Sequence, residues 1–83
     1  MNLAESLNIA IADVDDLRHM LGVSERYPRG YRNYYVAEPG HPGMARLLAA
    51  GLVVKNDRYR LSEDECYHAT LAGARLVGLE ELP

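Results

Sequence analysis

Met44-Ala45-Arg46-Leu47-Leu48-Ala49-Ala50-Gly51-Leu52-Val53-Val54 changes its apolar period partway along. Met44, Leu47 and Leu48 fall at i, i+3 and i+4, the spacing of one helix face, while Leu52-Val53-Val54 is the short β-branched run of a strand. Gly51 between them supplies the residue that commonly ends a helix. Just before, Pro39-Gly40-His41-Pro42-Gly43 forms a rigid corner, and Pro42 suits the first helical turn, where its missing N–H costs nothing. Beyond the strand, Asn56-Asp57 turns and Tyr59 to Leu61 returns as a hairpin partner. Ser62 to Glu65 reads as an acidic loop and Cys66 to Ala69 as extended chain. Thr70 then caps a last helix through Leu79, with Leu71, Ala74, Leu76 and Val77 as its apolar face.

Toward the N-terminus, Leu3, Leu7, Ala10, Val14, Leu17 and Leu21 keep one apolar stripe at helical spacing. Asp13, with Asp16 three residues on, imitates a capping box. Two arrangements follow: one long helix, or a short helix ending near Ala12 and a second from Val14 to Leu21, stopped by Gly22. Ser24 to Gly30 is loop, because Pro28 and Gly30 exclude helix. Arg32 to Ala37 is rich in Tyr and Val and reads as a strand.

Helices packed on a short antiparallel sheet or hairpin make an α+β domain. With 83 residues there is room for one small core, so residues 1–83 form a single domain in which 1–12 is either a separate N-terminal helix or the start of one long helix. Hydrophobic residues at 48% and charged residues at 25% exclude a disordered tail. No uncharged stretch approaches the ~20 residues that span a bilayer. Glu5 stands where a signal segment would carry Lys or Arg. A single cysteine, Cys66, allows no internal disulfide, as in cytosolic domains. There is no Phe and no Trp, so some tyrosines must serve in the core: Tyr35 or Tyr34, and Tyr67. Met20 and Met44 belong to apolar runs and read as core, and His19 lies off the stripe.

The net charge of −3 hides a segregation. From Arg26 to Arg60, seven positive residues face two acids, +5; the remainder carries two positive residues and ten acids, −8. Such a basic centre either attracts phosphate on one side or is neutralised by the acidic ends in ordinary surface pairs. An acidic total argues against a strong non-specific DNA binder. Within the basic centre, Arg26-Tyr27-Pro28-Arg29-Gly30-Tyr31-Arg32-Asn33-Tyr34-Tyr35 holds four of six tyrosines and three of nine basic residues. Arginine interleaved with aromatics grips single-stranded nucleic acid and equally anchors protein interfaces. Arg26, Tyr27, Arg29, Tyr31 and Arg32 are therefore the candidate partner-binding residues, with an inert loop as the alternative.

No constellation for catalysis emerges. Cys66 and His68 stand at i and i+2 on one strand face, and neighbours so placed do not position a base and an orienting group. Together with His41 they lack a fourth ligand at zinc spacing. Ser6, Ser24 and Ser62 lie in no nucleophile-elbow or phosphate-loop context, and Glu63-Asp64-Glu65 is a solvated run. The expectation is no enzyme, no cofactor and no metal.

Met44-x-x-Leu47-Leu48-x-x-Gly51-Leu52-Val53, a hairpin, and Tyr67-x-x-Thr70-x-x-Gly73-x-x-Leu76 resemble the second half of winged-helix proteins such as the MarR and PadR regulators. The resemblance covers residues 44 to 77 and implies that residues 1–83 are a single winged-helix-like domain. It implies that Arg46 enters a DNA groove and that Lys55, Arg58 and Arg60 on the wing contact phosphates, with a homodimer as a common assembly. A DNA-reading winged helix places two helices before the wing; here the space after Tyr34-Tyr35-Val36 admits one. Leu17-Arg18-His19-Met20-Leu21-Gly22 with Gly30-Tyr31-Arg32-Asn33-Tyr34-Tyr35 also resembles small proteins of tailed bacteriophages and prophages. The expectation is therefore a phage accessory protein in the bacterial host cytoplasm. It would bind a host protein or nucleoprotein complex and act by occlusion, as anti-CRISPR and other anti-defence inhibitors do. A DNA-binding regulator is the alternative.

Overall fold

The computed structural model describes residues 3–83, and side chains from residue 5 onward. The elements are α1 (Leu3–Leu7), α2 (Ile11–Leu21), β1 (Tyr35–Ala37), α3 (Pro42–Ala49), β2 (Val53–Lys55), β3 (Glu65–Ala69) and α4 (Leu71–Leu76). The three strands form one antiparallel sheet in the order β1-β3-β2, so the α+β class expected from the sequence is what the chain forms. Met1 and Asn2 and the Leu3 side chain, part of the N-terminal stripe, lie outside the described residues.

The chain takes the two-helix arrangement at its N-terminus, but the break falls earlier than Asp13. Asn8 adopts a left-handed φ of 61°, and α2 begins after Ala10. Asp13 is not the cap residue. It sits one turn inside, where its Oδ2 accepts the Ala10 N–H at 2.9 Å, satisfying one of the donors a helix start leaves open. At the far end, Gly22 (φ 68°) and Val23 donate to the carbonyls of His19 and Arg18, a double closure that ends α2 where its glycine predicts.

α3 begins at Pro42 as expected. His41 caps it, its Nδ1 accepting the Met44 N–H at 3.2 Å. Met44 and Leu47 are fully buried, whereas Leu48 turns outward. Thr70 caps α4 through the Gly73 N–H at 3.1 Å, yet α4 ends at Leu76 rather than Leu79. The chain reverses at Gly78 and Leu79 folds back into the core. Of the expected α4 face, Ala74 is buried, Leu76 and Val77 are half-buried, and Leu71 is exposed.

The hairpin expectation is corrected. β2 is paired not by Tyr59–Leu61 but by β3, in the register Val53↔Ala69, Val54↔His68 and Lys55↔Tyr67. Residues 56–64 form a loop closed by its own bonds: the Asn56 side chain accepts from the Arg58 N–H, and the Arg60 guanidinium folds onto the Asp57 and Tyr59 carbonyls. Leu61 is 89% exposed; a strand there would have gained nothing by burial, whereas Tyr67 and Ala69 carry the core face of β3. β1 is likewise shorter than Arg32–Ala37, because Tyr31, Arg32 and Tyr34 spend their backbone donors on α2 instead of on the sheet.

Leu17, Met20 and Leu21 of α2, Met44 and Leu47 of α3, Leu52, Val53, Tyr67, Ala69 and Ala74 make the core. Tyr67 is its aromatic and Tyr35 packs on its margin; Tyr34, the other candidate, is 53% exposed. Gly73 lets α4 approach β2: a Cβ there would fall against the Leu52 carbonyl oxygen, which also accepts the Thr70 N–H at 3.0 Å.

Candidate functional site

The loop after α2 is built onto that helix's last turn. The Tyr31 and Arg32 N–H groups donate to the Leu21 carbonyl, and the Tyr34 N–H donates to that of Met20. Arg32 then reaches the His19 carbonyl with Nε at 2.9 Å and Nη2 at 2.6 Å. With Val23 on Arg18, the four C-terminal carbonyls of α2 are all accepting, and a cation stands where the helix dipole favours one. Nearer the tip, the Ser24 and Gly30 N–H groups share the Tyr27 carbonyl, and Ser24 Oγ accepts from the Tyr27 N–H.

On this frame the side chains stack. The Arg26 guanidinium lies 5.5 Å from the Tyr27 ring centroid, the Tyr27 and Tyr31 rings are 4.8 Å apart, and the Arg32 guanidinium lies 5.1 Å from Tyr31 and 5.7 Å from Tyr34. Arg26, Tyr27, Tyr31, Arg32 and Tyr34 thus form an unbroken cation–π ladder. Tyr27, Tyr31 and Tyr34 remain 42%, 56% and 53% exposed. Gly22 is required beneath it: besides its left-handed φ, a Cβ would come within 2.6 Å of the Tyr31 ring. Arg29 stands apart from the ladder, lining a cleft of about 510 Å³ between Pro28-Arg29-Gly30 and the segment Gly78 to Pro83. The structure therefore brings together four of the five partner-binding candidates and adds Tyr34.

The four cations of the DNA-binding alternative do not converge. Arg46 closes on buried Asp13 in a bidentate pair, Nε to Oδ2 at 2.6 Å and Nη2 to Oδ1 at 2.9 Å. That hydrogen-bonded cation holds the Asp13 carboxyl below its ordinary range against the opposing effect of burial. Lys55 pairs with Glu65 at 2.8 Å, Arg60 is folded onto its own loop, and Arg58 is exposed with no ion pair among the described residues.

Neither histidine of the metal question is free. The His68 ring bonds the Asn33 carbonyl through Nδ1 at 2.6 Å, which fixes the proton on that nitrogen. The Asn33 amide in turn pairs with both the N–H and the carbonyl of Ala69, at 2.7 and 3.1 Å, standing in for a strand residue at the end of β1. Nothing in the sequence around Asn33 signals this. Among the described residues no group of three or more His, Cys, Asp or Glu side chains is placed to hold a metal, and no helix is long and apolar enough to cross a membrane. Tyr35, edge-on to His19 and His41 at 5.8 and 6.2 Å, donates to Asp16 at 3.4 Å; burial, and then Asp16, push its phenol above the usual range.

In comparison with known proteins, no family model, no curated protein and no solved structure matches the chain.

Proposed function

We propose that the chain is a non-catalytic binding protein that docks onto a macromolecular partner through the Arg26–Tyr34 ladder and acts by occluding that partner's surface. The observation that carries this reading is an exposed Arg/Tyr ladder whose backbone is fixed on a core helix. Tyr and Arg dominate interface hot spots, and groups ordered before binding lose little entropy on binding. Resemblance to small phage and prophage proteins supports a host protein or nucleoprotein complex in the bacterial cytoplasm as the target, and an anti-defence role, anti-CRISPR inhibition among them.

The strand order β1-β3-β2, with α3 leading into β2, supports reading the second half as a reduced winged helix carrying one helix between β1 and β2. It does not favour a DNA-reading regulator, because Arg46, Lys55 and Arg60 are already engaged within the chain. The test is retention of proteins from a bacterial lysate on the immobilised chain and on the variant Arg26→Ala/Tyr27→Ala/Tyr31→Ala. A protein held by the parent and lost by the variant is the expected result. Retention by both, or salt-sensitive duplex DNA binding that needs Arg58 and not the ladder, overturns the proposal.

A further inference from the structure

Independently of the docking reading, we infer that the free edge of β1 is an interface between two copies of the chain. They pair β1 against β1, antiparallel about a twofold axis at Val36, and join their sheets into one. β1 has a sheet neighbour on one side only. The Cys66 carbonyl accepts from Asn56 on the β2 side of β3, whereas Ala69 gives both its backbone groups to Asn33 on the β1 side. Antiparallel alternation then turns the N–H and C=O of Tyr35 and Ala37 toward β3 and those of Val36 away from it. Among the described residues the Tyr34 carbonyl, both backbone groups of Val36 and the Glu38 N–H have no hydrogen-bond partner. Tyr34, Val36 and Glu38 are all exposed, so this is an open row of strand donors and acceptors. The opposite edge is closed: Val53, whose backbone faces outward from β2 by the same alternation, is only 2% exposed.

The length of this row selects a second β1 as its occupant. The Tyr34 N–H is spent on Met20 and the Glu38 carbonyl on the His41 N–H, so the open row stops equally far on either side of Val36. A longer partner strand would find the flanking groups taken. A second β1 matches the row end to end: the two Val36 residues exchange both bonds, and each Tyr34 carbonyl accepts the other copy's Glu38 N–H.

The side chains agree with that register. Tyr34, Val36 and Glu38 alternate onto one face, so pairing sets Val36 beside Val36 and Glu38 beside Tyr34 of the second copy. Glu38 is the only acid between Glu25 and Asp57 and has no ion pair among the described residues. The Arg32 guanidinium lies 5.7 Å from the Tyr34 ring. Each copy therefore brings its one central carboxylate to the other's Arg32 and Tyr34.

The test is sedimentation equilibrium of the full chain. From micromolar to submillimolar concentration the mean mass is expected to rise from that of one chain toward that of two. Val36→Lys sets like charges opposite one another and is expected to raise the dimer Kd about tenfold or more; Glu38→Gln is expected to raise it severalfold. Val54→Lys, the same change at an exposed position of β2, is expected to leave it unaltered. In the parent, hydrogen exchange at the Val36 and Glu38 amides is expected to slow as concentration rises, a readout that stands even where Val36→Lys fails to fold. A parent that stays monomeric throughout overturns the inference. So does a dimer that Val54→Lys weakens as much as Val36→Lys, or one whose formation leaves exchange at Val36 and Glu38 unchanged.

Discussion

Arg46 of α3 grips Asp13 of α2 across the helix interface, and Asp13 is the one buried charged side chain among the described residues. The pair is asymmetric: the carboxylate is enclosed, while the arginine side chain is 42% exposed. Gly43 makes room for it, since a Cβ there would stand 2.7 Å from Asp13 Oδ1. A residue expected to read DNA thus fastens two helices together.

Removing the two partners has unequal effects. An enclosed carboxylate left without its counter-ion is destabilising, so Arg46→Ala melts below the parent. Asp13→Asn releases an arginine that water can solvate, and the amide oxygen still accepts from Ala10. Thermal denaturation of both variants should therefore rank Arg46→Ala as the less stable; equal losses would mean that the carboxylate is not enclosed.

Acid should act through the same carboxylate. The Arg46 hydrogen bonds set the Asp13 pKa lower in the folded chain than in the unfolded one. Its contribution is therefore complete above the unfolded value of about 3.9 and is lost as pH falls through the lower folded value. Urea midpoints measured downward from neutral pH should fall steeply only below about pH 4. Asp13→Asn should show a shallower acid limb.

Arg32 positions the ladder without needing to touch a partner. Arg32→Ala removes two charge-assisted bonds to the His19 carbonyl, a loss of about 1–3 kcal/mol, and releases Tyr31 and Tyr34. Near-ultraviolet circular dichroism of the tyrosines should weaken accordingly. Arg32→Lys keeps a donor to the carbonyl but cannot set a planar group against both rings. It should recover much of the stability and little of the tyrosine signal; full recovery of both would assign Arg32 a charge role only.

Gly73→Ala tests the seat of α4. The added methyl must displace the Leu52 carbonyl, which belongs to the backbone entering β2. Overpacking of this kind costs about 1–3 kcal/mol or more. Calorimetry should show a marked loss there and a small one for Ala72→Gly, an exposed position next to it.

Local rules made much of this fold legible. Gly22, Pro42 and Thr70 act on their own turns of helix, and their roles follow from spacing and capping alone. The strand boundaries that differ are those set by distant partners. Residues 59–61 have the composition of a strand, yet β3 takes their place because its Tyr67 and Ala69 fill the core. Asn33 leaves strand geometry to the residues after it while its side chain bonds Ala69, 36 residues away. At the candidate site, composition located the Arg/Tyr segment, but the split between Arg32 as clasp and Arg26 as outward contact depends on where α2 ends. Arg46 was legible as an exposed cation only until Asp13 was brought against it.

Because the Tyr31, Arg32 and Tyr34 amides are tied to carbonyls at the end of α2, the loop has no cheap way to open while that helix stays wound. Hydrogen exchange at these amides should follow the slow exchange of the helix's last turn, unlike the fast exchange of a surface loop. The surface offered to a partner then persists until the domain itself unravels.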